Sequence, residues 1–418
     1  MAKSKKKFNN QETKYKMLFL YSILMILASF FMDSPLESIK QLWTLVISKC
    51  FLFTDYFAIS SIGTAFINSG IITLLVIYIA WINKAEINGL LIASFFIVSG
   101  FSLFGKNLYN ITSIILGVYL YSKFKKDSFS KYVATANFAT SLAPLVSQVT
   151  FGMNLQPVIA IILANFIGLI IGFIFPILES SFVSFHKGFN IYNAGFTSGV
   201  IGVIFMSLFR LIGYDHSIVR QLTTKSDIRV VIFIYIYFFS MIVVGCLSGK
   251  KAIKDYVKII KYSGEPGTDF VVSEGFDLAI VNMGVMGISM TTLALVFKAP
   301  LNGLVVGAIL TVVGFSALSK HLFNTLPIII GVVFAYLLAG RSMSDTVCMI
   351  NALFSTTLAP IAGCYGIPAG ILAGFLHGSL VGNLLGLHGG MNLYNNGFSG
   401  GFVAALLVPL LDIFIKKK

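Results

Sequence analysis

From His388 to Gly401 the sequence reads HGGMNLYNNGFSGG, and from His186 it reads HKGFNIYNAGFTSG, with eight of fourteen positions identical. Each stretch gathers asparagines around a tyrosine: Asn190, Tyr192 and Asn193 in the first, Asn392, Tyr394 and Asn395 in the second, which adds a third asparagine, Asn396. A side-chain amide offers two donors and an acceptor, and a phenol one of each, so such a set can replace water around a polar solute or tie backbone segments together. The spacing i, i+2, i+3 spreads too widely for one helical stripe, and with glycines on both sides it points to broken or entering backbone just before a helix.

Four hydroxyls are candidate partners. Thr140 and Ser141 precede Pro144, and Thr356 and Thr357 precede Pro360, in the shared pattern AxF[AS]T[ST]LAP. A helix-breaking proline frees carbonyls, which hydroxyls compensate for or join in coordinating a solute. The alternative is structural: amides that cap broken helices and lock the copies together, hydroxyls that bind helix to helix. His186 and His388 read as caps or tautomer anchors, with a proton relay as the alternative.

The elements that must position these groups lie in lipid. Of 418 residues 57% are hydrophobic and 11% charged, and apolar runs long enough for a crossing of roughly 20 residues recur from Met17 to Ile415. The runs are continuous rather than alternating, so the expected fold is an all-α integral membrane protein and not a barrel. The net charge of +14 comes from lysines at helix ends and termini, as topology signals would, and calls for no nucleic acid. Cys50, Cys246, Cys348 and Cys364 are scattered without CxxC spacing, which reads as free thiols and no metal site. No motif supplies a nucleophile with its base, so neither an enzyme nor a cofactor is expected. GFSLFGKN from Gly100 nearly spells a phosphate-binding loop, but it ends in Asn107 and follows an apolar helix, and its twin GFSALSKH loses the second glycine. It reads as a tight turn between membrane helices, with Lys106 an ordinary loop residue.

Duplication runs the length of the chain. At an offset of 214, Thr54-Asp55-Tyr56 matches Thr268-Asp269-Phe270, Asn68-Ser69-Gly70 matches Asn282-Met283-Gly284, and Asn88-Gly89-Leu90 matches Asn302-Gly303-Leu304. The expected domains are a basic cytoplasmic N-terminus (1–16), a first membrane repeat (17–212), a linker (213–227) and a second repeat (228–416). The apolar run from Met17 recurs near Val230 to Leu247, so it reads as a retained helix rather than a signal peptide. Each repeat divides into about seven segments, in the first near 17–33, 56–81, 87–104, 108–122, 132–149, 155–177 and 189–210. The fifth offers only about 14 residues before Pro144 and is expected to be kinked or re-entrant.

Loop charges set orientation. KKAIKDYVKIIK follows the first helix of copy two, whereas its counterpart DSPLESIKQLWTLVISK is not basic; after the fourth helix SKFKKDSFSK in copy one faces GRSMSD in copy two. Equivalent loops on opposite sides imply inverted-topology repeats, an odd number of crossings in each, and both termini in the cytoplasm of a cell-membrane protein. Residues 210–229 run against the pattern, with Arg210, Arg220, Lys225 and Arg229 on the outside. Carboxylates at depth are few: Glu274 and Asp277 lack acidic counterparts, and the matched Asp55 and Asp269 read as helix caps.

With these residues in view, the chain resembles a family of bacterial multi-pass membrane proteins of unknown function. It is also faintly similar to the urea transporter family, through KAEINGLLI at Lys84, KAPLNGLVV at Lys298 and the two GxNxYNxG motifs. That likeness implies inverted halves around a central path and does not extend to urea as substrate, because the family's Asn-Pro pair is missing. The expected function is a transporter or channel for a small polar solute, with a non-transporting scaffold or intramembrane enzyme as the alternative. The expected partners are the bilayer and that solute, with a homo-oligomer left open.

Overall fold

The computed structural model describes residues 10–215, 218–248 and 252–415. Lysines at 3, 5, 6 and 7, Lys250, Lys251 and Lys416 to Lys418, invoked above for topology, lie outside the described residues. Copy one forms α1 (Gln11–Met32), α2 (Pro35–Val46), α3 (Tyr56–Ile59), α4 (Ile62–Ile82), α5 (Gly89–Phe101), α6 (Leu108–Phe124), α7 (Val133–Ala139), α8 (Ala143–Phe151), α9 (Pro157–Phe182) and α10 (Asn193–Leu211). Copy two repeats the order as α11 (Ile228–Ser248), α12 (Ala252–Ile259), α13 (Phe270–Ser273), α14 (Phe276–Val296), α15 (Gly303–Phe315), α16 (Leu322–Leu338), α17 (Thr346–Ser355), α18 (Ala359–Tyr365), α19 (Ile367–Leu385) and α20 (Asn395–Phe414). Every helix in copy one thus has its counterpart ten labels later.

Nine helices among the described residues are long and apolar enough to cross a membrane: α1, α4, α9, α10, α11, α14, α17 continued through α18, α19 and α20. The chain is an all-helical, multi-pass membrane protein, with no strand among the described residues. Its outer helices turn large apolar side chains away from the protein, as α9 does with Val158, Ile159, Ile162 and Phe166. Side chains that would be costly in water are at home against lipid.

The middle of the bundle belongs to α5 and α15. Each has 13 residues, about 20 Å of helix, well short of the ~30 Å hydrocarbon core. Both carry apolar or small residues all round, and the fold covers every residue of α15 and all but Leu90 of α5. They lie side by side in opposite senses. A Cβ on Gly100 would stand 2.5 Å from Gly307 O, and one on Gly307 2.5 Å from Gly100 O, so only glycine at both positions permits this approach.

Two aspartates fasten the pair. Asp55 accepts from Phe57 N of its own helix start at 3.0 Å and from Gly303 N, the start of α15, at 3.0 Å. Asp269 likewise accepts from Val271 N at 2.9 Å and from Gly89 N, the start of α5, at 2.8 Å. These acids are caps as the sequence suggests, and each also caps the central helix of the opposite copy. Orphan N–H groups at buried helix starts need such partners.

The fifth segment, expected near 132–149, is a broken helix over 133–151. After a tightened turn at Thr140–Leu142 the helix resumes at Ala143, with Pro144 in its first turn, and runs to Phe151; copy two does the same after Thr356–Leu358. Proline in the first turn of α8 and of α18 is well tolerated because its missing N–H falls where an intrahelical partner is already lost.

Candidate functional site

The tightened turns leave carbonyls available, and the opposite copy uses them. Ser141 O accepts from Leu393 N at 3.0 Å, and Thr357 O accepts from Ile191 N at 3.1 Å. The asparagine–tyrosine stretch of each copy therefore docks on the broken helix of the other.

The amides divide into two roles. Asn190 Nδ2 donates to Gly397 O at 2.9 Å and Asn392 Nδ2 to Gly195 O at 3.2 Å, a reciprocal pair across the copies. Thr357 Oγ1 donates to Asn190 Oδ1 at 2.5 Å and accepts from Tyr192 N at 2.9 Å, while Asn392 Oδ1 accepts from Tyr394 N at 2.8 Å. Asn193 and Asn395 stay within their own copies. Asn193 pairs with His186 Nε2 at 2.9 Å and donates to Glu179 O at 2.8 Å; Asn395 pairs with His388 Nε2 at 2.8 Å and donates to Val381 O at 3.1 Å. Both histidines thus anchor the first residue of the last helix in each copy.

Thr140 Oγ1 turns back to Asn137 O at 2.5 Å, and Ser141 Oγ meets Ser198 Oγ at 2.5 Å. Thr356 Oγ1 donates to Leu353 O at 2.6 Å and faces the centre of the molecule.

α10 and α20 cross at Gly195 and Gly397, where an added Cβ on either would lie 2.8 Å from the other's Cα. This crossing stacks the two tyrosines, with ring centroids 4.6 Å apart. Phe101 packs on Tyr394 at 5.3 Å and Phe315 on Tyr192 at 4.6 Å, giving a row of four rings, Phe101, Tyr394, Tyr192 and Phe315. Phe101 ends α5 and Phe315 ends α15, so the row joins the two polar stretches to the two central helices.

A lysine stands at each end of that row. Lys320 Nζ lies 4.0 Å from the Tyr192 ring centroid, donates to the Tyr192 hydroxyl, and donates to Thr356 Oγ1 at 2.8 Å. Lys106 Nζ lies 5.1 Å from the Phe101 centroid and has no hydrogen-bond partner; Tyr394 Oη has none either. Both lysines are 0% exposed. Lys106 is in a tight turn between helices, as expected, but it is no ordinary loop residue: α5 ends inside the bundle, so its turn does too.

The family described as Protein of unknown function (DUF1576) matches residues 34–211 and 248–413, one block in each copy. The chain belongs to this family. No curated protein and no solved structure matches it. The two blocks of the DUF1576 match cover the central helices, the kinked helices and both polar stretches, so the junction just described lies wholly within the family's own sequence.

Three features of this DUF1576 protein escaped the sequence reading. One is the lysine pair, whose signal was available: GFSLFGK and GFSALSK place Lys106 and Lys320 at the same offset of 214 as the other matches. The second is Glu179, half-buried in the last turn of α9, which accepts from Thr135 Oγ1 at 2.7 Å. The third is a cavity of about 400 Å³ beside copy two, lined among others by Lys261, Tyr262, Ser263, His321, Asn324 and Gly363. Its wall residue His321 directly follows Lys320, and His321 Nε2 is held by Tyr262 O at 2.8 Å. Among the described residues no cluster of histidine, cysteine and carboxylate side chains could hold a metal.

Proposed function

We propose that this protein is a membrane transporter or channel for a small polar solute, with its path at the interface of two inverted-topology repeats. The observation that carries the reading is reciprocity at the junction: Asn190 to Gly397 with Asn392 to Gly195, Ile191 to Thr357 with Leu393 to Ser141, Asp55 to Gly303 with Asp269 to Gly89. Equivalent helices that meet in opposite senses, as α5 and α15 do, are what an inverted repeat requires, and the opposed loop charges support the same arrangement. Under this reading both termini face the cytoplasm.

Broken backbone at depth is tolerated where it lines a path or is buried in protein. The amides of Asn190, Asn193, Asn392 and Asn395 already have protein partners, as do the hydroxyls of Thr140 and Thr356, so under this reading the solute contacts fall to Tyr192 and Tyr394 in the row of rings between the lysines, with Thr140, Ser141, Thr356 and Thr357 shaping the broken helices. A non-transporting scaffold is the second reading, favoured by the engagement of Asn193 and Asn395 within their own copies.

Flux in proteoliposomes, measured with a panel of neutral and anionic small solutes, separates the two. Movement of none of them leaves the scaffold. Cysteines placed near Lys126 and Lys258 should be labelled only from the cytoplasm, and those near Asp33 and Ser344 only from outside. Labelling of the Lys126 and Ser344 sites from one side removes the inversion.

A further inference from the structure

We propose that the solute is a small anion and that Lys320 and Lys106 are its counter-charges; this deepens the transport reading above and rests on it. An ammonium group taken out of water is costly, and proteins that bury one surround it with carboxylates or other acceptors. Lys320 has two hydroxyl acceptors and no carboxylate, and Lys106 has no acceptor at all. No ion pair among the described residues involves Lys106 or Lys320. Lys320 has two hydroxyls and a ring face; Lys106 has a ring face alone. Attraction to an aromatic ring offsets only part of the loss of hydration.

Both copies nonetheless keep the lysine, at the inner end of a central helix, although the residues before it differ (LFG in one, ALS in the other). A spacer or a space-filling group would not need to be ionisable in both. A passing anion would supply the missing charge, and the hydroxyls of Tyr192, which accepts from Lys320, and of Tyr394 supply donors suited to its oxygens.

The approach to Lys320 is basic as well. Among the described residues the segment 252–265 holds Lys254, Lys258 and Lys261 against Asp255, which pairs with Lys258 at 3.2 Å, and Glu265; Lys261 lines the cavity whose wall is His321. A low-dielectric opening bearing one sign of charge concentrates the opposite ion. The four rings between the lysines close the route beyond, so an anion arriving from this side meets Lys320 first.

The test uses the purified full chain in detergent, titrated with sodium chloride, sulfate, phosphate, acetate and succinate at constant ionic strength while thermal unfolding is followed. At least one of these anions should raise Tm saturably, and Lys320→Gln and Lys106→Gln should each weaken that effect by roughly tenfold or more. Removing a buried charge should leave both variants at least as heat-stable as the parent without anion, so folding does not confuse the result. Lys320→Met serves as a second variant with the same expectation. A saturable shift unchanged in the Lys320 variants, or no saturable shift with any of the five salts, overturns the proposal. Flux then separates the two ideas. A neutral solute carried equally by the parent and both variants keeps transport and removes the anion, whereas an anion bound through Lys320 but never moved keeps the anion site and removes transport.

Discussion

Lys106 and Lys320 hold the same place in their copies, yet their surroundings differ. Beside His321, the residue that follows Lys320, lies the 400 Å³ cavity. Behind Lys106 the equivalent space is filled: Tyr109 Oη meets Thr150 Oγ1 at 2.7 Å, Asn110 Nδ2 donates to Ser147 Oγ at 2.9 Å, and Gln148 Nε2 donates to Cys50 O at 3.1 Å while its Oε1 accepts from Tyr214 Oη at 3.1 Å. The corresponding residues of copy two are Phe323, Thr150's counterpart Gly366, Ser147's counterpart Gly363, and Cys364 in place of Gln148. A lost hydroxyl, two lost side chains and a lost amide turn a closed seam into an opening. The frame of the two copies is held by residues they share, and the difference in access comes from small residues they do not.

The sharpest way to break the frame is at the shared aspartates. Asp55→Ala removes the acceptor for Phe57 N, Gly303 N and Thr223 N together, and Asp55 is fully buried. At roughly 1–3 kcal/mol for each buried group left unpaired, it should lower stability by about 3 kcal/mol or more. Asp269 is half-buried, so water can replace part of what Asp269→Ala removes, and its loss should be clearly smaller. Denaturation of both variants in one detergent checks the order; equal losses would contradict the burial difference.

The amide ties come next. Asn190→Ala orphans Gly397 O and the Thr357 hydroxyl across the junction, whereas Asn193→Ala and Asn395→Ala orphan a histidine and a carbonyl within one copy. Each should cost about 1–3 kcal/mol. Only Asn190→Ala should also loosen one copy against the other, read as faster proteolysis in the linker at 218–227. If Asn193→Ala changes flux while leaving Tm in place, its amide serves the solute rather than the fold.

The difference in access can be sharpened with thiols. In a chain with the four native cysteines replaced, His321→Cys, on the cavity wall, should react readily with a water-soluble thiol reagent. Asn107→Cys, its counterpart in the filled seam, should react only as fast as that seam opens locally. Similar rates at both sites would mean the seam is open in solution.

The smallest effect belongs to the surface. Lys187 pairs with Asp412 at 3.0 Å, with the lysine side chain 51% exposed. Lys187→Ala should change stability by about 0–1 kcal/mol, less in high salt. A larger loss would show that this pair contributes to holding α20 against copy one.

Much of this molecule was legible in its residues one after another. Apolar runs, Asn and Asp caps, and proline at 144 and 360 are local instructions, so the helices and their breaks follow from short stretches, and a duplicated sequence announces a duplicated fold. The fifth segment, expected near 132–149 and kinked or re-entrant, is a helix broken at Thr140–Leu142 that runs to Phe151, because proline in a first turn costs little. The polar stretches could be located but not assigned their partners. Whether Asn190 reaches the other copy while Asn193, three residues on, does not is decided by which backbone comes to rest beside each. Asp55 likewise reads as a cap in sequence, and only the meeting of α5 and α15 brings Gly303 N to it. The lysines show the limit most plainly. A lysine in a turn is ordinarily solvated, and nothing within GFSLFGKN says otherwise; Lys106 and Lys320 are buried because two short helices, crossing at Gly100 and Gly307, end inside the bundle, where the packing of the other copy excludes water from the turn that follows.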